Sequence, residues 1–374
     1  DYVVIGEGEI TFTELLQALD KNSPKLKKIK GIAFRDGDKV TITPPRPLIK
    51  DLDILPMPAY HLLPMDKYGM PYLGEGSTIV TTSRGCSYNC SFCSETKFWG
   101  RKWRGRSAKK IVDELELLHD KYKKKTFWFG DDNFGFNRKR NIEFCDEILN
   151  RGLDINFWME TRIDHIMRDK DLIPKFKKAG LIWVLLGIES PSQEQLDRYN
   201  KQLSIDNIKP TIKLLKQYDI VVQTCFMWGD VNDTEETLEK TYRYALELDA
   251  DVFALQIVTP FPGTDLYEEA KKENRIQVSD YSKYDFLHAI MPTSTLSIEE
   301  VERLHKKYYV KFWTRPAKIL KTLFSGNKWK RRLTLYCFVL FAKSKFSTSW
   351  YTSYSEIQSF EDYEKDRKTR FVTK

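Results

Sequence analysis

The chain has 374 residues and a mass of 44.1 kDa, with 41% hydrophobic and 30% charged residues. That length and balance allow one large buried core and exclude a mainly disordered chain. Its net charge of +8 comes from Lys and Arg interleaved with Asp and Glu, so most of it describes solvated helix faces, and no nucleic-acid-binding motif accompanies it. Six cysteines in this length do not make a disulfide framework, and the opening residues do not read as a signal peptide, so a reducing cytoplasm is the expected location.

Asp1-Tyr2-Val3-Val4-Ile5-Gly6 reads as a buried strand running into a turn, as if the chain began inside a domain. With no sheet of its own to join, such a strand is expected to need outside partners for its backbone groups. A helix is expected from Thr11 to Leu19, then a β-pair of Ile32–Arg35 and Val40–Ile42 around the turn Asp36-Gly37-Asp38. Pro44, Pro45, Pro47, Pro56, Pro58, Pro64 and Pro71 then remove donors and fix φ. Residues 44–76 therefore read as an extended linker that wraps a surface.

From Thr78 the pattern alternates between strands and helices. Strands are expected over Thr78–Thr82, Thr126–Gly130, Ile155–Glu160, Trp183–Ile188, Val221–Met227 and Val252–Val258, with helices near 108–122, 138–150, 169–179, 205–218 and 234–248. Right-handed crossovers turn such a series into a curled parallel sheet. The fold class is α/β, a partial parallel (β/α)6 TIM-like barrel spanning residues 77–290, open at one side where a substrate could enter. Residues 291–374 read as a helical, basic extension. In it Lys318, Lys321, Lys328, Lys330, Arg331 and Arg332 precede a ten-residue apolar run, Leu333–Ala342. A bilayer-spanning helix needs about 20 apolar residues, so residues 316–345 are expected at most to rest on a membrane surface.

The first barrel strand leads directly into Arg84-Gly85-Cys86-Ser87-Tyr88-Asn89-Cys90-Ser91-Phe92-Cys93. In a parallel barrel, loops at the C-terminal ends of strands carry the chemistry. Structural zinc usually takes four ligands, and there is no second Cys pair or His-x₃₋₅-His to complete such a set; Cys145, Cys225 and Cys337 stand alone among apolar residues. Three local thiolates on an iron-sulfur cluster would leave one iron open to a small molecule.

The Cys-x₃-Cys-x₂-Cys spacing, with aromatic Phe92 before the third cysteine, resembles the signature of the radical S-adenosylmethionine (SAM) superfamily. The resemblance implies a 4Fe-4S cluster on Cys86, Cys90 and Cys93 whose fourth iron chelates the amino and carboxylate groups of SAM. Reduction then yields methionine and a 5′-deoxyadenosyl radical. It also implies roles for the other strand ends. Gly130-Asp131-Asp132 stands where the family has a Gly-Gly-Glu-like element for the SAM amino group. Glu160-Thr161-Arg162 and Gly187-Ile188-Glu189-Ser190 resemble elements of the cobalamin-associated subgroup, with Arg162 suited to the carboxylate and Glu160, Glu189 and Ser190 to the ribose and amino groups. Pro262, in the Pro-x-Pro-Gly-Thr element, is placed near the adenine edge. Either glutamate could instead be a buried salt-bridge partner of Arg162. Val231 and Asp233 depart from the pattern of relatives after the fifth strand.

Residues 1–43 resemble the end of the Rossmann-like cobalamin-binding domain that precedes the barrel in this subgroup, so the likeness covers roughly residues 1–315. The cobalamin signature Asp-x-His-x-x-Gly is absent, and most of a cobalamin site would lie upstream. The implied activity is cobalamin-dependent methylation of an unactivated carbon. The alternative, similar to the anaerobic magnesium-protoporphyrin ester cyclases, is radical oxidation or ring closure of a tetrapyrrole-like or lipid substrate. A flavodoxin or ferredoxin is the implied electron donor.

Overall fold

The computed structural model describes residues 1–20, 25–70, 72–74 and 76–346. At its N-terminus, β1 (Tyr2–Val4), β2 (Ile32–Asp36) and β3 (Lys39–Ile42) form an antiparallel sheet in the order β1-β2-β3. Helix Gly8–Asp20 contributes Leu15 to a small core with Ile29, Ile32 and Phe34. The expectation that the first strand lacks a sheet is therefore corrected. The helix returns the chain so that β2 offers its free edge, pairing Tyr2 with Phe34 and Val4 with Ile32, and Ile5 N–H donates to Gly31 O at 2.8 Å.

The proline-rich stretch carries three short turns, Leu52–Ile54, Tyr60–Leu62 and Met65–Lys67, which bury Leu52, Tyr60 and Met65. Tyr60 OH donates to the buried Glu114 carboxylate, which also pairs with Arg106. This stretch is thereby pinned to helix Ala108–Tyr122.

The remaining strands are β4 (Ser77–Val80), β5 (Ser83–Arg84), β6 (Arg104–Gly105), β7 (Thr126–Phe129), β8 (Asn156–Thr161), β9 (Leu181–Glu189), β10 (Val221–Trp228) and β11 (Val252–Ile257). Six of them make one sheet in the order β11-β10-β9-β8-β7-β4, and each neighbouring pair is parallel. Sequential order with a helix after each strand is the half-barrel expected of right-handed crossovers. Helix Ala108–Tyr122 illustrates the local logic. Ser107 caps it by accepting from Lys110 N–H, and Ile111, Val112, Leu115 and Leu118 bury its inner face. The expected helix over 169–179 is shortened to Ile173–Lys178, preceded by a short turn, Lys170–Leu172, and a separate helix, Ile163–Arg168. Pro174, in the first turn of Ile173–Lys178, cannot continue a preceding helix.

Side chains alternate between the two faces of each strand. Phe129 and Phe157 pack against Phe144, and Phe157 also against Phe176, of the helices, and Phe127 is fully buried. On the opposite, concave face Trp128, Trp158 and Trp183 stack in register, with centroids 4.9 and 5.0 Å apart. They form an aromatic floor.

The described residues of 1–69 and 76–309 make one compact unit, and those of 70–74 and 310–346 a second. The described part of the second contains helices Pro316–Leu323 and Lys328–Phe346. The end of the expected extension, 347–374, lies outside the described residues. Among the described residues no helix is long and apolar enough to cross a membrane.

Candidate active site

After β4 the chain forms the small ladder β5–β6, pairing Ser83 with Gly105 and Arg84 with Arg104. Gly85 follows at φ +83°, so close to the Lys102 carbonyl and Trp99 that a Cβ would collide with both; this position requires glycine. Gly85 N–H donates to the Asp132 carboxylate at 2.8 Å. Farther along, Ser91 N–H donates to Tyr199 O at 2.9 Å, and Ser91 O accepts from Leu266 N–H at 3.0 Å. Asn200 Nδ2 donates to Asn89 O at 2.9 Å, and Phe92 packs edge-on to Tyr199 at 5.3 Å. The cysteine loop is thus held by the segments that follow β7, β9 and β11.

Cys90 is buried, Cys86 and Cys93 are half-buried, and all three are free thiols. Burial pushes Cys93 up to about 11 and also raises Cys90, where Lys201 and Arg162 oppose the shift. Thiols of this kind ionise when a cationic metal replaces the proton. Among the described residues no three His, Cys, Asp or Glu side chains gather closely enough to hold one metal ion. A cubane binds its thiolates through different irons, so its ligands stand farther apart than those of one zinc. The donor set fits the cluster.

At the end of β7, Asp131 is buried and accepts from Thr82 N–H at 2.6 Å, Ser83 N–H at 3.0 Å, Ser83 Oγ at 2.7 Å and Thr82 Oγ1. Its carboxylate fastens β7 to the segment after β4, so a ligand at this position would meet the backbone of Gly130 and Asp131. Asp132 is pushed up to about 6 by desolvation and by the Glu95 and Asp131 charges. Together with Gly6, Glu9, Arg84, Glu95 and Gly130 it lines a cavity of about 440 Å³.

Asn133 follows Asp132 in the strand-end run, and the sequence pattern gives it no role of its own. Its Nδ2 donates to Cys86 Sγ at 3.8 Å, while Oδ1 faces His165 Nδ1 at 3.0 Å and accepts from Thr161 Oγ1 at 3.4 Å. Tyr88, inside the cysteine loop, donates to Asp164 Oδ2 at 2.6 Å and lies 3.1 Å from His165 Nε2. Burial lowers His165 to about 4, so it is neutral at pH 7. Arg162 lies over the Tyr88 ring at 3.5 Å. Its Nε donates to Asp164 Oδ1 at 2.8 Å, and Nη2 to the carbonyls of Lys201 and Gln202 at 2.7 and 3.0 Å. Only Nη1 stays outside these bonds, so Arg162 is an anchor of the cysteine loop as well as a cation beside it. Its carboxylate partner is Asp164, not Glu160 or Glu189.

Glu160 projects from β8 and accepts from Trp128 Nε1 at 3.0 Å; burial, with the Asp132 and Asp131 charges, pushes it up to about 7. At the end of β9, Glu189 adopts φ +64°, a strained conformation of the sort found at functional sites. It pairs with buried Lys201 at 2.5 Å. Burial works against the lysine charge, but Glu189 and nearby Cys90 outweigh it and its pKa is raised. Gly187 leaves room for this pair, since a Cβ there would collide with Glu189 Oε1 and lie 2.8 Å from Lys201 Nζ. Ser190 is buried, bonded to Gln195 and accepting from Ser192 N–H at 3.0 Å.

After β10, Asp233 accepts from Gly229 and Asp230 N–H at 3.0 and 2.8 Å, and Asp230 receives Tyr199 OH at 2.9 Å and pairs with Arg198. The departure from the pattern of relatives thus closes a loop that steadies Tyr199. Pro262 is exposed in the turn after β11, and Thr264 caps the following helix, accepting from Tyr267 N–H at 3.1 Å. That helix supplies the Leu266 contact to Ser91.

A profile described as the radical SAM superfamily matches residues 80–245. The chain is also 36% identical to an uncharacterized methyltransferase of Pyrococcus horikoshii, over 87% of this chain and 70% of that protein. The chain belongs to the radical SAM superfamily. This radical SAM protein is also 35% identical to the anaerobic magnesium-protoporphyrin IX monomethyl ester cyclase of Cereibacter sphaeroides, over 94% of the chain and 57% of the cyclase. It therefore spans 57 to 70% of the length of these two relatives. Its fold is shared with the cobalamin-dependent SAM radical enzyme OxsB, solved with aqua-cobalamin and SAM bound. The TM-score is 0.65 at 16% identity, covering 100% of this chain and 65% of OxsB. TsrM, a radical SAM methyltransferase from Kitasatospora setae solved with tryptophan and a SAM analogue, gives 0.60 at 19% identity, covering 73% and 54%.

Proposed function

We propose that Cys86, Cys90 and Cys93 hold a 4Fe-4S cluster with SAM on its open iron, and that the protein carries out cobalamin-dependent methylation of an unactivated carbon. The observation that carries this reading is the cysteine loop itself, three free thiols clamped at the mouth of a half-barrel whose other strand ends converge on it. With both groups bound, one-electron reduction of SAM supplies a 5′-deoxyadenosyl radical that removes hydrogen from carbon. The backbone of Gly130 and Asp131, with Asp132, accepts from the SAM amino group. Lys201 and Nη1 of Arg162 provide positive charge for its carboxylate. Glu160, Gly187, Glu189 and Ser190 face the ribose side, and the turn at Pro262 the adenine edge. Trp128, Trp158 and Trp183 close the barrel floor and exclude water from the radical.

The cobalamin part of the proposal draws on OxsB and on residues 1–43 as the end of a cobalamin-binding type of domain. A second reading, oxidation or ring closure of a tetrapyrrole-like or lipid substrate, is favoured by two anaerobic cyclases at 35 and 36% identity. Either reading needs a flavodoxin- or ferredoxin-like donor. Exposed Leu320 and Phe324, near Lys318 and Lys321, would suit contact with a membrane surface.

The test is anaerobic reconstitution followed by dithionite and methyl-labelled SAM. Release of 5′-deoxyadenosine supports the radical reading, and its absence refutes it. With extract as substrate source and cobalamin supplied, label in a product marks methylation, whereas an unlabelled oxidised product marks cyclisation.

A further inference from the structure

The segment after the cysteine loop, residues 94–106, holds five basic residues against one acidic one. Three of the five are committed: Lys97 to Asp265 at 2.7 Å, Arg104 to Glu7 at 2.8 Å, and Arg106 to Glu114. Arg101 and Lys102 instead stand exposed in a turn with Gly100, beside Phe98, which is 56% exposed.

This turn is fastened to both ends of the cysteine loop. Cys93 O accepts from Thr96 Oγ1 at 2.9 Å, and Thr96 O accepts from Arg101 N–H at 2.9 Å. At the other end, Gly85, next to Cys86, lies against the Lys102 carbonyl with no room for a Cβ. Other approaches to the loop are occupied by Tyr199, Asn200 and Leu266. The exposed cations are thus separated from two of the three cysteines by a single intervening residue.

We propose that the turn Phe98–Lys102 is the docking surface for an acidic protein electron carrier, a small flavin or iron-sulfur protein. The inference rests on the cluster reading above, which needs one electron from outside for each SAM cleaved. Phe98 provides the apolar contact, and Arg101 and Lys102 attract the carrier's carboxylates. One electron leaves the reduced carrier and enters the bound cluster; the carrier departs oxidised by one electron, and no bond or proton moves. Complementary charge of this kind raises association rates by about 10- to 1000-fold and weakens with salt.

The experiment compares wild type with Arg101→Glu/Lys102→Glu after anaerobic reconstitution, following cluster bleaching by stopped flow with reduced flavodoxin and, separately, dithionite. The double variant should bleach at least about tenfold more slowly with flavodoxin at low salt, with the gap closing as salt rises. Its dithionite rate should be unchanged, and Lys213→Glu/Lys272→Glu, on exposed positions elsewhere, should match wild type. Phe98→Ala, which leaves the charges in place, should weaken carrier binding at all salt concentrations. A protein that takes up no iron contradicts the cluster reading itself. With the cluster in place, flavodoxin rates indifferent to the 101/102 reversal and to Phe98→Ala overturn the docking surface alone. So do equal slowing in the control, slowing with dithionite, or failure of flavodoxin to reduce wild type.

Discussion

Replacing Lys201 with Met should destabilise the protein sharply, and the structure sets the scale. The Lys201 and Glu189 side chains are each 9% exposed and meet at 2.5 Å. Attraction in such an intact pair is largely offset by the cost of desolvating both ions, but removing one partner strands a buried charge at about 3–5 kcal/mol. Methionine keeps most of the apolar stem and loses the ammonium, which lies 6.0 Å from the Phe92 ring centroid, and the Lys201 carbonyl that receives Arg162 Nη2 is untouched. The loss therefore isolates the ammonium. Urea unfolding under anaerobic, reducing conditions should show Lys201→Met down by about 3 kcal/mol or more. Glu189→Gln/Lys201→Met, which removes both charges, should recover to within about 1–2 kcal/mol of wild type. A Lys201→Met variant within about 1 kcal/mol of wild type, or a double variant as unstable as the two single losses together, would refute the reasoning.

Gly85→Ala combines a left-handed backbone, about 1–2 kcal/mol for a residue with a Cβ, with collision against the Lys102 carbonyl; iron uptake on reconstitution should fall severalfold, and full uptake would contradict the close approach. Glu160 carries a raised pKa of about 7, so the folded state holds a proton that the unfolded chain releases near 4.5. Stability should therefore decline as pH rises from about 4.5 to 7 and level off above. Glu160→Gln should remove roughly 1–3 kcal/mol of that slope in thermal unfolding at several pH values, and an unchanged slope would show that the group is not buried as described. Tyr60→Phe deletes the hydroxyl bonded to Glu114 and should cost about 1.5–3 kcal/mol in urea unfolding, as for other bonds to a buried charge. No change would mean that Arg106 alone satisfies the carboxylate.

The barrel was legible because its signals are local. Helix Ala108–Tyr122 matches its expected span, since Ser107 and the apolar spacing of Ile111, Leu115 and Leu118 mark both the start and the buried face. The cysteine loop was legible for the same reason, with all its ligands within eight residues. Pairings made across the fold were not. Lys201 stands twelve residues from Glu189, and nothing near either announces the other. Asp131 was visible as a strand-end acid, but that Thr82 and Ser83 would claim its oxygens depends on how closely β4 and β7 approach. Asn133 directly follows Asp132 and His165 lies three residues after Arg162, but His165 sits on the helix Ile163–Arg168, and no local pattern marks that its ring turns back to Asn133. The β1 strand was misjudged because its partner, β2, lies about thirty residues away, beyond an intervening helix.

The most direct test of a three-cysteine cluster with one open iron is electron paramagnetic resonance of the reduced, anaerobically reconstituted protein, with and without SAM. About four irons per chain, a reduced-cluster signal that changes when SAM is added, and loss of both in Cys90→Ala are the predicted results. A full cluster whose signal is indifferent to SAM, or a single zinc per chain, would contradict the account.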